Sequence, residues 1–165
     1  MSDSEIIALA AELGRRLVAR GAFAATAESC TGGLVAGAIT AIPGSSGWFD
    51  RGFVTYSNEA KIELLGVEPD VLENHGAVSE VTARAMADGA IRASRANLAV
   101  AVTGVAGPAG GSAAKPVGMV CFAWALRGGL TTVATHRFHG DRDAVRRASV
   151  IVSLQGLIDL LGAAH

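Results

Sequence analysis

The chain has 165 residues and a formal net charge of −1, enough length for one domain with a real core and too balanced a charge to grip a phosphate backbone or a lipid surface. Half of the residues are hydrophobic but only 5% are aromatic, so alanine and short aliphatic side chains must fill that core. No apolar run approaches the roughly 20 residues needed to cross a bilayer, so the mean hydropathy of +0.39 points to a sheet covered on both faces or to a subunit interface, with a homodimer expected.

The opening segment is acidic where a secretory signal would be basic, which makes the cytoplasm the expected location. Residues 4–20 then read as an amphipathic helix, with Ile6, Leu9, Leu13 and Leu17 three to four residues apart and Gly21 at the C-terminal cap. Phe23–Ala27 is a buried-strand candidate, and Ser29-Cys30-Thr31-Gly32-Gly33 leads from it into a helical stretch ending near Ile42. Gly52–Tyr56 alternates as a strand. Asn58 can cap a short helix carrying Lys61, Leu64 and Leu65, which Gly66 ends, and Asp70–Asn74 suits another helical turn.

Ser79 begins a helix over 79–95, and Asn97–Thr103 is a dense apolar strand that opens into the glycine-rich run Gly104–Gly111. Val117–Leu126 and Thr131–Phe138 form a hairpin around Gly128-Gly129, and Asp141–Leu161 is the closing helix. Without a repeat or an interdomain linker, residues 1–165 read as one domain: α/β, three layers α/β/α, with a mixed sheet and a late β-hairpin.

Four polar or glycine-rich segments border the predicted strands, where α/β sheets gather their ligand sites. Glu28–Gly33 offers small hydroxyl residues and glycines at a helix start, which suits an anion pocket or an ordinary capped turn. Cys30 in it is either an acidified nucleophile or a small buried thiol. Pro43–Phe49 holds serines in a sharp glycine turn; a serine there needs a base, and none of the four histidines (His75, His136, His139 and His165) sits in a comparably structured segment. Lys61 serves as base only if burial leaves it neutral, with Tyr56 to orient the pair or pass a proton; the plain alternative is a surface turn, a solvated lysine and a tyrosine packed on the sheet. Gly104–Gly111 either lies flat against a ligand or is a loose connection, and Arg142 either clamps a phosphate or belongs to a charged first helical turn. Cys30 and Cys121 are too far apart in sequence for a metal or disulfide framework.

Taken in order, Ala27-Glu-Ser-Cys-Thr-Gly-Gly33, Gly44-Ser-Ser46 with Trp48-Phe49, Arg51–Lys61, His75-Gly-Ala-Val-Ser-Glu80, Thr103-Gly-Val-Ala-Gly-Pro108, Lys115-Pro-Val-Gly118 and Gly140-Asp-Arg142 resemble the CinA C-terminal domain family in its stand-alone form. The resemblance covers almost the whole chain. It implies an amidohydrolase, free of metal and cofactor, that converts nicotinamide mononucleotide (NMN) and water to nicotinic acid mononucleotide and ammonia. It implies Ser46 as nucleophile, Lys61 as base and Tyr56 as the assisting tyrosine, with N–H groups near Gly44–Gly47 holding the oxyanion. It places Ser29, Thr31, Gly32, Thr103, Gly107 and Arg142 around the nucleotide. Ala109 departs from the aspartate that some relatives carry after the proline. Two competing readings are a thiol amidase using Cys30 and a pyridine-nucleotide-binding module without turnover, which has no need of a serine and a lysine together.

Overall fold

The computed structural model describes residues 3–163, so His165 lies outside the described residues. Along them run α1 (Asp3–Arg20), β1 (Ala24–Glu28), α2 (Leu34–Thr40), β2 (Phe49–Val54), α3 (Asn58–Leu65), α4 (Pro69–His75), α5 (Glu80–Arg92), β3 (Leu98–Gly104), β4 (Met119–Leu126), β5 (Thr131–Arg137) and α6 (Arg142–Ala163). The five strands form one open sheet in the order β2-β1-β3-β4-β5. The β1 strand pairs in parallel with β2 and β3, while β4 and β5 run antiparallel and form the predicted hairpin. None of the described helices is long and apolar enough to cross a membrane.

The sheet is covered on both sides, and its two faces differ in size. Alternate residues of a strand point to opposite faces. Leu98, Val100, Val102, Val120 and Phe122 meet Leu13 and Leu17 of α1, Val35 and Ile39 of α2, and Leu154 and Leu157 of α6. The opposite face is built from Ala25, Ala27, Ala99, Ala101, Ala123 and Ala125, against which lie Ala83, Met86, Ala87 and Ala90 of α5. A methyl-lined sheet lets a helix settle close, which is why so alanine-rich a chain still closes a core.

Local chemistry fixes the ends of the elements near the site. Ser57, not Asn58, caps α3 by accepting the Ala60 N–H at 3.0 Å, and Gly66 ends the helix with φ 66°. The strand expected at Gly52–Tyr56 instead covers Phe49–Val54. Thr55 and Tyr56 leave the sheet because their carbonyls turn to accept hydrogen bonds from Lys61 Nζ at 2.9 and 3.3 Å. Ser79 caps α5 through the Thr82 N–H, and Asp141 accepts from the Ala144 N–H at the start of α6.

The closest approach of α5 to α3 occurs at Gly89, where an added Cβ would lie 2.0 Å from the Leu65 carbonyl oxygen. No side chain can yield there, since the obstacle is backbone. Gly89→Ala is therefore expected to destabilise the fold by about 1–3 kcal/mol, the usual range for overpacking. Thermal melting checks it: an unchanged midpoint would mean that α3 and α5 are not in this contact.

Candidate active site

The carboxyl ends of β1, β2 and β3 lie side by side, because these three strands are parallel and adjacent. Beyond them opens a cleft of about 340 Å³, of the size that small ligands occupy. Ser29, Cys30, Tyr56 and Lys61 form part of its wall, Ala77 and Val78 another part, and Thr103 through Gly107 the floor, with Arg142 at the side.

Lys61 occupies a position in α3 where an apolar residue would be ordinary, on the same buried stripe as Leu65 one turn later. It is 1% exposed. Its Nζ lies 3.0 Å from Ser29 Oγ, 2.9 Å from the Thr55 carbonyl oxygen and 3.3 Å from the Tyr56 carbonyl oxygen. No carboxylate is among these partners. Burial pushes the Lys61 pKa down from the ordinary lysine value. The neutral amine has two N–H donors and one lone pair; the two carbonyls take the donors, which leaves the lone pair for the Ser29 hydroxyl proton. The pair has the geometry of a nucleophile and its base.

Ser29 is held as closely. It is 8% exposed, and its N–H donates to the Val102 carbonyl at 2.9 Å. After it the chain turns through Gly32 and Gly33, with φ 54° and 103°, and enters α2. Left-handed backbone at two successive positions explains the glycine pair.

The remaining predicted site residues divide into those brought to the cleft and those that are not. Thr103 reaches it, its hydroxyl donating to the Ala77 carbonyl at 2.8 Å. Gly107 also reaches it, and Arg142 ties the walls together by donating to the Gly107 carbonyl at 2.9 Å and the Tyr56 hydroxyl at 3.2 Å. Tyr56 is 61% exposed, so its carbonyl meets Lys61 while its hydroxyl faces Arg142. Ala109 borders the cleft as well.

Ser46 does not join this group. It is exposed in a short 3-10 turn, Ser45–Gly47, before the amino end of β2, whereas Lys61 follows the carboxyl end of that strand. Six residues of strand span roughly 17 Å, so the expected Ser46–Lys61 pair is not formed, and the N–H groups of Gly44–Gly47 are at the wrong end of the sheet for an oxyanion beside Lys61. Thr31 is fully buried with its hydroxyl on Glu28, and Gly32 lies outside the cleft lining. His75, His136 and His139 do not line the cleft either.

Two residues without a sequence-derived role hold the site from behind. Glu28 is fully buried beneath the Ser29 turn, and Arg146 donates to the carbonyls of Cys30 and Thr31 at 3.1 and 3.2 Å. An acid closing a small-residue strand just before a helix start is a readable sign of a cap. Nothing local marks Arg146.

Comparison with known proteins places these features. A profile of the CinA C-terminal domain matches residues 6–161. The chain is 55% identical over 157 residues to the nicotinamide-nucleotide amidohydrolase PncC of Escherichia coli (strain K12), covering 95% of both sequences. It is 52% identical over 155 residues to the protein of the same name from Pseudomonas putida, covering 94% of this chain and 96% of that one. Among solved structures, the competence/damage inducible protein CihA from Agrobacterium tumefaciens superposes with a TM-score of 0.93 at 50% identity, covering 94% of this chain and 95% of that one.

Cys30 lines the same cleft, but burial pushes its thiol up to about 12, against the acidification expected of a helix start. At neutral pH it is a protonated, inert group. Native protein treated with iodoacetamide at pH 7.5 is expected to remain unmodified at Cys30; rapid carbamidomethylation of that residue, read by peptide mass, would contradict the protonated state.

Proposed function

The chain belongs to the CinA C-terminal domain family, and from that membership and the Ser29–Lys61 contact we propose that it hydrolyses NMN to nicotinic acid mononucleotide and ammonia with Ser29 as nucleophile. The observation that carries the assignment is a buried lysine amine 3.0 Å from a serine hydroxyl, with no acid beside it, in the wall of a ligand-sized cleft. The curated relatives named for this activity cover nearly the full chain, which supports the substrate.

Neutral Lys61 removes the Ser29 proton as the oxygen attacks the carboxamide carbon of NMN. The Cys30 N–H, on the residue after the nucleophile in the wall of the cleft, receives the developing oxyanion. The lysine, now protonated, gives its proton to the departing nitrogen, and ammonia leaves an acyl-serine. Water loses a proton to Lys61 and attacks the ester, and the lysine returns that proton to the Ser29 oxygen as the nicotinate product leaves. Arg142, already bound to the walls on both sides, directs its remaining N–H groups at the phosphate, and the Tyr56 ring covers the nucleotide at the mouth of the cleft.

Purified protein incubated with NMN in the presence of a chelator is expected to release ammonia. Ser29→Ala and Lys61→Ala should each reduce kcat by about a thousandfold or more, while Ser46→Ala stays within about threefold of the parent. Full activity in Ser29→Ala together with loss in Ser46→Ala would reverse the assignment. Arg142→Met is expected to raise KM for NMN more than it lowers kcat.

The lysine also dictates a pH dependence. The reactive form is the neutral amine, so the rate rises with pH through the lowered Lys61 pKa. For stability the sign is fixed by proton counting: between the lowered folded pKa and the ordinary unfolded one, the unfolded chain binds the extra proton, so stability increases with pH. The penalty of burying Lys61 is complete below its folded pKa and relieved above it. The stability of wild type relative to Lys61→Met, from denaturant titrations at several pH values, is therefore expected to improve as pH rises toward about 10, the ordinary lysine range; an improvement on acidification would invert the assignment of charge.

A further inference from the structure

We propose that Glu28 is a positioning residue that sets the distance between the Ser29 hydroxyl and the Lys61 amine by binding, through one residue, the turn that carries the first and the segment that holds the second. The proposal rests on the serine–lysine reading above and adds to it a group that touches neither substrate nor reacting atoms.

Glu28 is the last residue of β1 and is 0% exposed. One carboxylate oxygen accepts the Thr31 hydroxyl at 2.6 Å and the N–H groups of Gly33 and Val35 at 3.2 and 2.9 Å. The other accepts the Ala36 N–H at 3.0 Å and the Thr26 hydroxyl at 3.3 Å. All five partners are uncharged donors. They fix the turn from Ser29 into α2 from beneath.

The backbone of the same residue faces the other half of the site. The Glu28 carbonyl accepts the Thr55 N–H at 2.7 Å and the Thr55 hydroxyl at 3.4 Å. The Thr55 carbonyl in turn accepts from Lys61 Nζ at 2.9 Å. The path from serine to lysine therefore runs Ser29, Glu28, Thr55, Lys61, without passing through a mobile loop.

A simple cap would not need a carboxylate. Serine or threonine before a helix satisfies one N–H, and burying a full negative charge is costly unless donors converge on it. Here a rigid, multiply bonded acceptor holds a turn whose next residue must keep a hydroxyl at 3.0 Å from an amine. Misplacement of reacting groups by about 1 Å can lower a rate a hundredfold.

Glu28→Gln preserves the volume but replaces one acceptor oxygen with an NH₂ group. Either amide orientation sets that group against a backbone N–H, so the turn must move. Thr31→Val removes one donor without disturbing the charge, and Thr31→Ser restores it. With NMN as substrate, Glu28→Gln is expected to lower kcat at least about tenfold and Thr31→Val about three- to tenfold, with KM within about threefold and Thr31→Ser close to the parent. Loosening the turn admits water to Lys61, so the acidic limb of the kcat–pH profile moves to higher pH in Glu28→Gln and Thr31→Val.

Leu154→Ala, in the core of α6 on the sheet face that Glu28 shares but outside the hydrogen bonds of the turn, supplies the comparison: it is expected to melt earlier while keeping the parent kcat and limb. If Glu28→Gln and Thr31→Val behave like Leu154→Ala, while Ser29→Ala is inactive, Glu28 is a structural cap only and the proposal is overturned with the serine reading intact. If Ser29→Ala turns over normally, the serine reading falls and this role of Glu28 falls with it. Should Glu28→Gln fail to fold, the Thr31 pair decides between these outcomes by the same readouts.

Discussion

The proposed chemistry depends on a lysine that is buried and has no counter-ion among its hydrogen-bond partners. An ammonium in bulk solvent is useless as a base near neutrality, and one paired with a carboxylate is more so. Lys61 escapes both because α3 turns it inward at a core position and because its polar partners are a hydroxyl and two carbonyls. Glu28, the acid next to Ser29 in the chain, spends its two oxygens on neutral donors of the α2 turn. The rest of the fold can be read as what is required to keep a lysine in that condition.

The contrast between the two sheet faces serves that requirement. Alanines on one face let α5 lie against the strands, and Gly89 lets α5 reach the Leu65 carbonyl, so α3 is clamped one turn beyond Lys61. The bulky face, filled by Val100, Val102, Phe122 and the long α1 and α6 helices, supplies most of the apolar burial. One side is built for close approach and the other for volume. The low aromatic content evident in the composition follows from that division, since an alanine-lined layer has no room for large rings.

Much of this is legible in the sequence. The helix–strand order, the late hairpin, the capping glycine at 66 and the buried β3 strand follow from periodicity and turn chemistry. So does the gathering of Ser29, Cys30 and Thr103–Gly107 at one cleft, because both segments leave the carboxyl ends of predicted strands. The resemblance implies Ser46 as nucleophile, and the local chain does not correct it, for a physical reason. Ser46 has the local marks of a reactive serine, a glycine turn and an exposed hydroxyl, and local marks do not say which end of the sheet a turn occupies. Register does. Once Phe23–Ala27 and Gly52–Tyr56 are taken as neighbouring parallel strands, the segments after them lie at one end of the sheet, and these carry Ser29 and Lys61. Arg146 is beyond such reasoning, since its partners are 115 and 116 residues away along the chain.

Arg142 and Arg146 both belong to the first turns of α6, the last element of the described chain. Between them they bind the glycine loop, the Tyr56 segment and the Ser29 turn. Ribosomal synthesis runs from the amino terminus, so the serine and the lysine emerge long before the helix that draws their loops together. Until α6 is in place, the glycine loop, the Tyr56 segment and the Ser29 turn lack the two guanidinium ties that join them across the cleft.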